Sequence, residues 1–213
     1  MFPIKDDAPA GKFPFINLAL IGVTVYVFLQ ELAAPNLDLF LREWALIPSQ
    51  VDFLNPATLT PFFTSVFLHA GWLHIISNMW FLWIFGDNVE ARLGHFNYLI
   101  FYIISGIIAN FVQYFLIPDS FIPMLGASGA VAGVLGAYFI FFPGHRVQTL
   151  IPIFIFPLFV EIPAGVMLIY WFFTQFFAGL TSLDAAVATG GVAWWAHIGG
   201  FSFGIIMAKI LER

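Results

Sequence analysis

Residues 126–142 read Gly126-Ala127-Ser128-Gly129-Ala130-Val131-Ala132-Gly133-Val134-Leu135-Gly136-Ala137-Tyr138-Phe139-Ile140-Phe141-Phe142, an uncharged run opened by a serine. Polarity does not alternate along it, so it reads as a helix made for an apolar medium rather than a strand. Ser128, Ala132 and Gly136 recur at i, i+4 and i+8, which places them on one helical face. Gly129 and Gly133 lie one position around. Together they form a broad strip of small residues, and such strips let helix backbones approach closely inside membranes. A nucleophile-bearing side chain on that strip, in hydrocarbon-seeking sequence, is the feature to be explained.

The rest of the chain agrees with a membrane setting. Of 213 residues, 61% are hydrophobic and only 9% charged, with 28 Phe and 7 Trp; mean hydropathy is +0.95. Soluble domains run near half apolar with about a quarter of residues charged. A hydrocarbon core of roughly 30 Å needs about 20 apolar residues per helix, so the length suits six helices in a single membrane domain, 1–213. The spans expected are about 13–33, 71–86, 96–117, 126–142, 162–179 and 192–211. Pro35, Gly86-Asp87, Gly94, Pro118-Asp119, Pro143-Gly144 and the stretch from Gly179 to Gly190 separate them. The fold class expected is an all-α polytopic bundle of six transmembrane helices, because unbroken apolar runs exclude barrel strands. Phe13 to Leu32 exceeds a signal-peptide core in length and is read as a retained helix.

Charge supplies orientation. Lys5, Lys12, Arg92, Arg146, Lys209 and Arg213 fall on one side of a six-helix chain and Arg42 alone on the other. The positive-inside rule then puts both termini in the cytoplasm. A net charge of −5 without a basic run gives no footprint for nucleic acid, and zero Cys excludes disulfides and thiolate metal sites. The connector 35–67 is long but aromatic, with Trp44, Phe53, Phe62 and Phe63. It reads as an outer loop settled at the membrane interface.

Three further polar positions share a depth with the serine. His74/Asn78, Ser128 and His197 each lie near the start of a helix, and those three helices run in the same direction. His197, Gly200 and Gly204 fall at i, i+3 and i+7, a second small-residue face able to meet the first. A serine hydroxyl needs a base to become a nucleophile, and histidine is the usual base near neutral pH. Neither helix carries a carboxylate nearby, so the pattern is a Ser128–His197 dyad rather than a triad. His74 and Asn78, four apart on one face, and the Ser128 N–H are candidate donors to a developing oxyanion. Gly126, Gly129 and Gly200 support the approach of the two helices. Asn110, Gln113 and Gln175 read as interhelical hydrogen-bonders, Glu90 and Arg92 as structural, and Glu161 as a residue near the start of the fifth helix. Zinc-protease spacing, paired membrane aspartates and phosphate-cradling loops are absent from the sequence; neither metal nor cofactor is expected. A transporter would show repeats or several intramembrane charges, and neither is present.

These residues resemble the rhomboid intramembrane serine proteases in their compact six-helix prokaryotic form. The likeness runs from about Pro61 to the C terminus. It rests on Phe67-Leu68-His69-Ala70-Gly71-Trp72-Leu73-His74 with Asn78, Gly86-Asp87-Asn88-Val89-Glu90, Gly126-Ala127-Ser128-Gly129 and Ala196-His197-Ile198-Gly199-Gly200-Phe201. The resemblance implies Ser128 as nucleophile and His197 as base, with His74, Asn78 and the Ser128 amide as oxyanion hole. It further implies lateral entry of transmembrane protein substrates from the lipid bilayer past Trp171 and Phe172, and a prokaryotic plasma (inner) membrane. Many family members carry a Trp-Arg pair in the first loop, where this chain has Pro61-Phe62-Phe63. The alternative of a different class is a catalytically silent rhomboid-like protein that binds membrane clients.

Overall fold

The computed structural model describes residues 2–9, 11–153, 156–183 and 192–212. Arg213, Asp184 and the part of the last connector ending at Gly190 lie outside the described residues. The chain is a helical membrane bundle. Its helices are α1 (Phe15–Ala33), α2 (Leu37–Trp44), α3 (Pro61–Thr64), α4 (Trp72–Leu93), α5 (His95–Leu116), α6 (Ser128–Phe141), α7 (Ala164–Ser182) and α8 (Trp194–Leu211). By length and composition α1, α5, α7 and α8 can each cross a bilayer, and the segment Pro56–Phe67 with α4 forms a span bent by 75°. α6 is apolar but only 14 residues long.

That short helix is the axis of the bundle. Gly129 through Tyr138 are buried without interruption, because α4, α5, α7 and α8 all pack around it. Small residues make this geometry attainable. A Cβ added to Gly200 of α8 would collide with the Gly129 carbonyl oxygen, and one on Gly204 with that of Gly133. In the other direction, a Cβ on Gly136 would collide with the Phe201 carbonyl. α6 and α8 therefore meet backbone on backbone, as small-residue strips permit in membranes.

Two features differ from the sequence expectation. The helix expected to stop near 86 continues to Leu93. Gly86 stays helical because a side chain there would strike Asn17 of α1 and the Tyr98 hydroxyl, and the stop is Gly94, whose φ of +79° suits a glycine cap. Asn17 itself donates to the Leu82 carbonyl at 3.0 Å and accepts from the Tyr98 hydroxyl at 2.7 Å. Glu90 caps α1, accepting the Ile16 and Asn17 N–H groups at 3.0 and 2.7 Å. This is the structural role of that carboxylate.

The second difference is a three-stranded antiparallel sheet, ordered β1 (Phe2–Asp6), β2 (Arg146–Ile153) and β3 (Phe156–Pro163). β2 and β3 pair in unbroken register from Arg146↔Pro163 to Ile153↔Phe156. Pro152, Pro157 and Pro163 forbid a helix through this stretch, while its β-branched residues suit strands. The fifth apolar helix consequently starts at Ala164, and Glu161 lies within β3 opposite Gln148. β1 is tied to the bundle by Trp80 Nε1 donating to the Pro3 carbonyl at 2.7 Å. Asp6 Oδ2 accepts from Asn88 Nδ2 at 2.9 Å and from the Tyr138 hydroxyl at 2.5 Å. The sheet thus covers the end of the bundle remote from Ser128.

At the opposite end the 35–67 loop is folded rather than extended. Asn36 caps α2 by accepting from the Leu39 N–H. Phe62 of α3 stacks on Phe111 of α5, ring centroids 4.1 Å apart. Asn110 donates to the Phe62 carbonyl and to Ser65 Oγ, both at 2.9 Å. The loop also grips the chain leading into α6. Leu46 and Met124 exchange backbone hydrogen bonds, and the Ser65 carbonyl accepts from the Gly126 N–H at 2.9 Å. Non-helical backbone at membrane depth requires this kind of satisfaction.

Candidate active site

The site is assembled from the first turns of α4, α6 and α8. Ser128 opens α6, where its N–H has no preceding turn to supply an acceptor. His197 lies one turn into α8, and the start of that helix is fixed by α5: Gln113 Oε1 accepts from the Trp195 N–H at 3.0 Å and the Ala196 N–H at 3.2 Å. The glycine contacts between α6 and α8 set the remaining separation. As a result Ser128 Oγ lies 2.8 Å from His197 Nε2, within hydrogen-bond reach.

His74 reaches the same point from α4. A Cβ on Gly126 would lie 2.7 Å from the His74 Cε1 and Nε2 atoms and 3.7 Å from Ser128 Oγ. Gly126 also has a φ of +130°. Both facts demand glycine, whose missing side chain lets the His74 imidazole stand against the backbone beside the hydroxyl. Asn78, one turn further along α4, is buried and lies 3.0 Å through Nδ2 from His69 Nε2.

His69 organises this side of the site, although the sequence pattern alone marked it only as part of a motif. Its Nδ1 lies 3.3 Å from the Phe67 carbonyl, an acceptor, so Nδ1 carries the proton. Nε2 is then the acceptor for Asn78 Nδ2 and for the Ala127 N–H at 3.4 Å. The His69 N–H donates to both oxygens of Glu31 on α1, each at 3.1 Å. One imidazole thereby links the oxyanion candidates on α4 to the turn preceding Ser128. The His-x4-His spacing in 69–74 was the available signal.

On the far side, His197 Nδ1 lies 2.8 Å from Gln175 Oε1 of α7. The imidazole is flanked by Trp171 and Trp194, with both ring centroids 6.0 Å away. Phe172 packs on Phe201 at 5.3 Å. A cavity of about 200 Å³ lies between α4 and α7, lined by Pro3, Phe81, Met167, Leu168, Tyr170, Trp171 and Thr174. Among the described residues no group of three His, Cys, Asp or Glu side chains is arranged to hold a metal.

The Rhomboid domain family model matches residues 56–213. Rhomboid protein 1, mitochondrial, from Saccharomyces cerevisiae is 29% identical over 200 residues, 92% of this chain and 53% of that protein. The human presenilin-associated rhomboid-like protein, mitochondrial, is 31% identical over 163 residues, 71% of this chain and 38% of its own length. Rhomboid-like protein 11, chloroplastic, from Arabidopsis thaliana is 42% identical over 73 residues, 34% of this chain and 26% of that one. The chain thus spans about a quarter to a half of the length of these relatives. Their names correct one expectation: they point to an organellar membrane rather than to the plasma membrane of a prokaryote with cytoplasmic termini. Lysine and arginine asymmetry tells which face of the bundle is basic, not which bilayer holds it. The match over residues 56–213, three quarters of the sequence and all of the apposed serine, histidines and amide, makes the chain a member of the rhomboid family.

Proposed function

We propose that this chain is an intramembrane serine endopeptidase that hydrolyses peptide bonds in or near the transmembrane segments of other membrane proteins. The family is in general one of serine intramembrane proteases. The observation that carries the reading is the 2.8 Å approach of Ser128 Oγ to His197 Nε2. In this reading His197 takes the hydroxyl proton as Ser128 Oγ attacks the scissile carbonyl carbon, and later delivers it to the leaving amine. The acyl group left on Ser128 is then hydrolysed by a water activated by the same imidazole. In this reading His74, Asn78 and the Ser128 N–H are the donors to the charge developing on the carbonyl oxygen. A substrate segment enters through the cleft between α4 and α7, whose wall includes Trp171 beside His197.

The full chain reconstituted in liposomes with single-pass substrates tests this directly. The wild-type protein is expected to label with a fluorophosphonate probe and to cleave, with product ends read by mass spectrometry. Ser128→Ala is expected to do neither while unfolding at an unchanged temperature, since it removes one oxygen from a position among small residues. Labelling or cleavage by Ser128→Ala at the wild-type rate overturns the proposal.

A further inference from the structure

We propose that Gln175 is the positioning residue of the base: through a one-directional chain of hydrogen bonds it fixes His197 in the tautomer whose Nε2 accepts from Ser128. The inference rests on the reading of Ser128 and His197 as nucleophile and base, and adds a third member where the sequence offered no carboxylate.

The chain of bonds starts at a group that cannot donate. The Trp171 backbone carbonyl lies 2.6 Å from Thr174 Oγ1, so the threonine hydroxyl spends its only hydrogen there. Thr174 Oγ1 is then an acceptor toward Gln175, whose amide nitrogen Nε2 donates to it at 3.0 Å. With its nitrogen so placed, the side chain turns its oxygen to His197. Gln175 Oε1, 2.8 Å from Nδ1, has no proton to give, so Nδ1 must carry one. A neutral imidazole with Nδ1–H holds its lone pair on Nε2, the atom 2.8 Å from Ser128 Oγ. Each link leaves the next one choice. The opposite tautomer would direct an N–H at the Ser128 oxygen and leave the base unable to take the hydroxyl proton.

Burial gives the arrangement force. Gln175 is 8% exposed on an uncharged helix, and an amide withdrawn from water must find partners. Its sequence neighbours Phe173, Phe176 and Phe177 would suit the lipid phase better than an amide does. The other histidine on this side of Ser128 is His74 of α4, which stands against Gly126; the hydrogen bonds of His197 go to Gln175 and Ser128. Gln175 is thus the group that orients the ring, and it does so without adding charge.

The test uses the reconstituted full chain with 15N-labelled histidine, His197 being assigned by comparison with His197→Ala. The wild-type ring is expected to show a protonated Nδ1 and a bare Nε2 above neutral pH. Forcing the wrong tautomer on a catalytic histidine costs roughly 10⁴-fold; Gln175→Leu only removes the preference, so its fluorophosphonate labelling rate and kcat should fall about 10–100-fold with KM changed less than about twofold. Gln175→Glu restores an acceptor at Nδ1, so labelling should recover. Its negative charge raises the affinity of the ring for a second proton, moving the acidic limb of the pH profile upward. A wild-type ring carrying its proton on Nε2 overturns the proposal, as does a Gln175→Leu protein that keeps both the tautomer and the labelling rate. If the expected tautomer is found in a wild-type protein that never labels, the protease reading fails and the role of Gln175 in orienting the ring stands.

Discussion

α6 and α7 both flank α8, and they do so in opposite ways. Against α6 the contact is backbone on backbone, with carbonyl oxygens where a Cβ would otherwise stand at Gly200 and Gly204. Against α7 it is made by rings: Phe172 on Phe201, Phe176 on Trp195, and Trp195 beside Gly179. α6 is buried from Gly129 to Tyr138, whereas the buried residues of α7 are Ala164, Met167, Leu168, Gln175 and Gly179. Backbone cannot repack and side chains can. The separation of Ser128 from His197 is therefore set by the unyielding interface, and the cleft between α4 and α7 borders the yielding one.

The sharpest way to break that contrast is Gly200→Leu. A leucine there overlaps the Gly129 carbonyl and drives α8 from α6, and a misplacement of about 1 Å can cost roughly 10²-fold. We expect fluorophosphonate labelling to fall to background, while Ile206→Leu, at a position 57% exposed on the same helix, labels normally. Normal labelling by a folded Gly200→Leu protein would show that helix approach is not what presents His197.

The oxyanion candidates come next. Loss of one donor typically costs about 2.7–4 kcal/mol, or roughly 10²–10³ in turnover. His74→Ala and Asn78→Ala should each fall in that range in a cleavage assay, with the remaining donors still acting. Full activity in both variants and in the double variant would reassign the pair to structure.

A matched pair of smaller substitutions sharpens the comparison. Gly204→Ala puts a methyl group onto the Gly133 carbonyl and should lower stability by about 1–3 kcal/mol or more, as overpacking does. Gly179→Ala puts the same methyl 3.2 Å from the Trp195 ring, a side chain rather than backbone. Ring movement and the roughly 0.5–1 kcal/mol helical advantage of alanine should offset each other there. Thermal unfolding in one detergent checks both. Equal losses would mean that the two interfaces are equally rigid.

The smallest effect concerns the sheet. Burial raises the Asp6 carboxyl above the ordinary carboxylate range, while the Arg146 N–H holds Asp7 below it. Asp6 contributes stability that is complete below the unfolded value of about 4 and is lost as pH rises through its raised value. Asp7 contributes above its ordinary value and fails only in stronger acid, so of these two carboxyls it is Asp6 whose contribution falls as pH rises. Hydrogen exchange in residues 2–6, corrected for its intrinsic rate, should show less protection at pH 8 than at pH 5, and Asp6→Asn should flatten that difference. A slope surviving in Asp6→Asn would assign it elsewhere.

Much of this was readable from composition and spacing, for identifiable reasons. Long apolar runs announce membrane helices because lipid leaves the backbone few alternatives, and glycine strips announce close helices because nothing else fits. The paired strands 146–153 and 156–163 were missed because apolar content dominated the reading of a stretch whose prolines and β-branched residues signal strands. Gly86-Asp87 looked like a stop because a glycine serving close packing and a glycine ending a helix are the same letter. Gln175 could be read as an interhelical hydrogen-bonder and His69 as part of a motif, but which partner each finds, on α8 or on α4, depends on rotation of one element against another. Periodicity does not encode that.

At about 1.5 Å per residue the 14 residues of α6 span about 21 Å, some 10 Å less than the hydrocarbon thickness. Near its far end Tyr138 is hydrogen-bonded to Asp6 of β1, so the helix holds Ser128 at a fixed distance from the sheet. On the proposed chemistry the helix then acts as a ruler. A bond is cut according to how far it lies beneath the headgroups, and its side chains refine a choice that depth has already narrowed. On that reading, a bilayer thicker or thinner by a few ångströms would shift the cleavage point along the same substrate without any change in the protein.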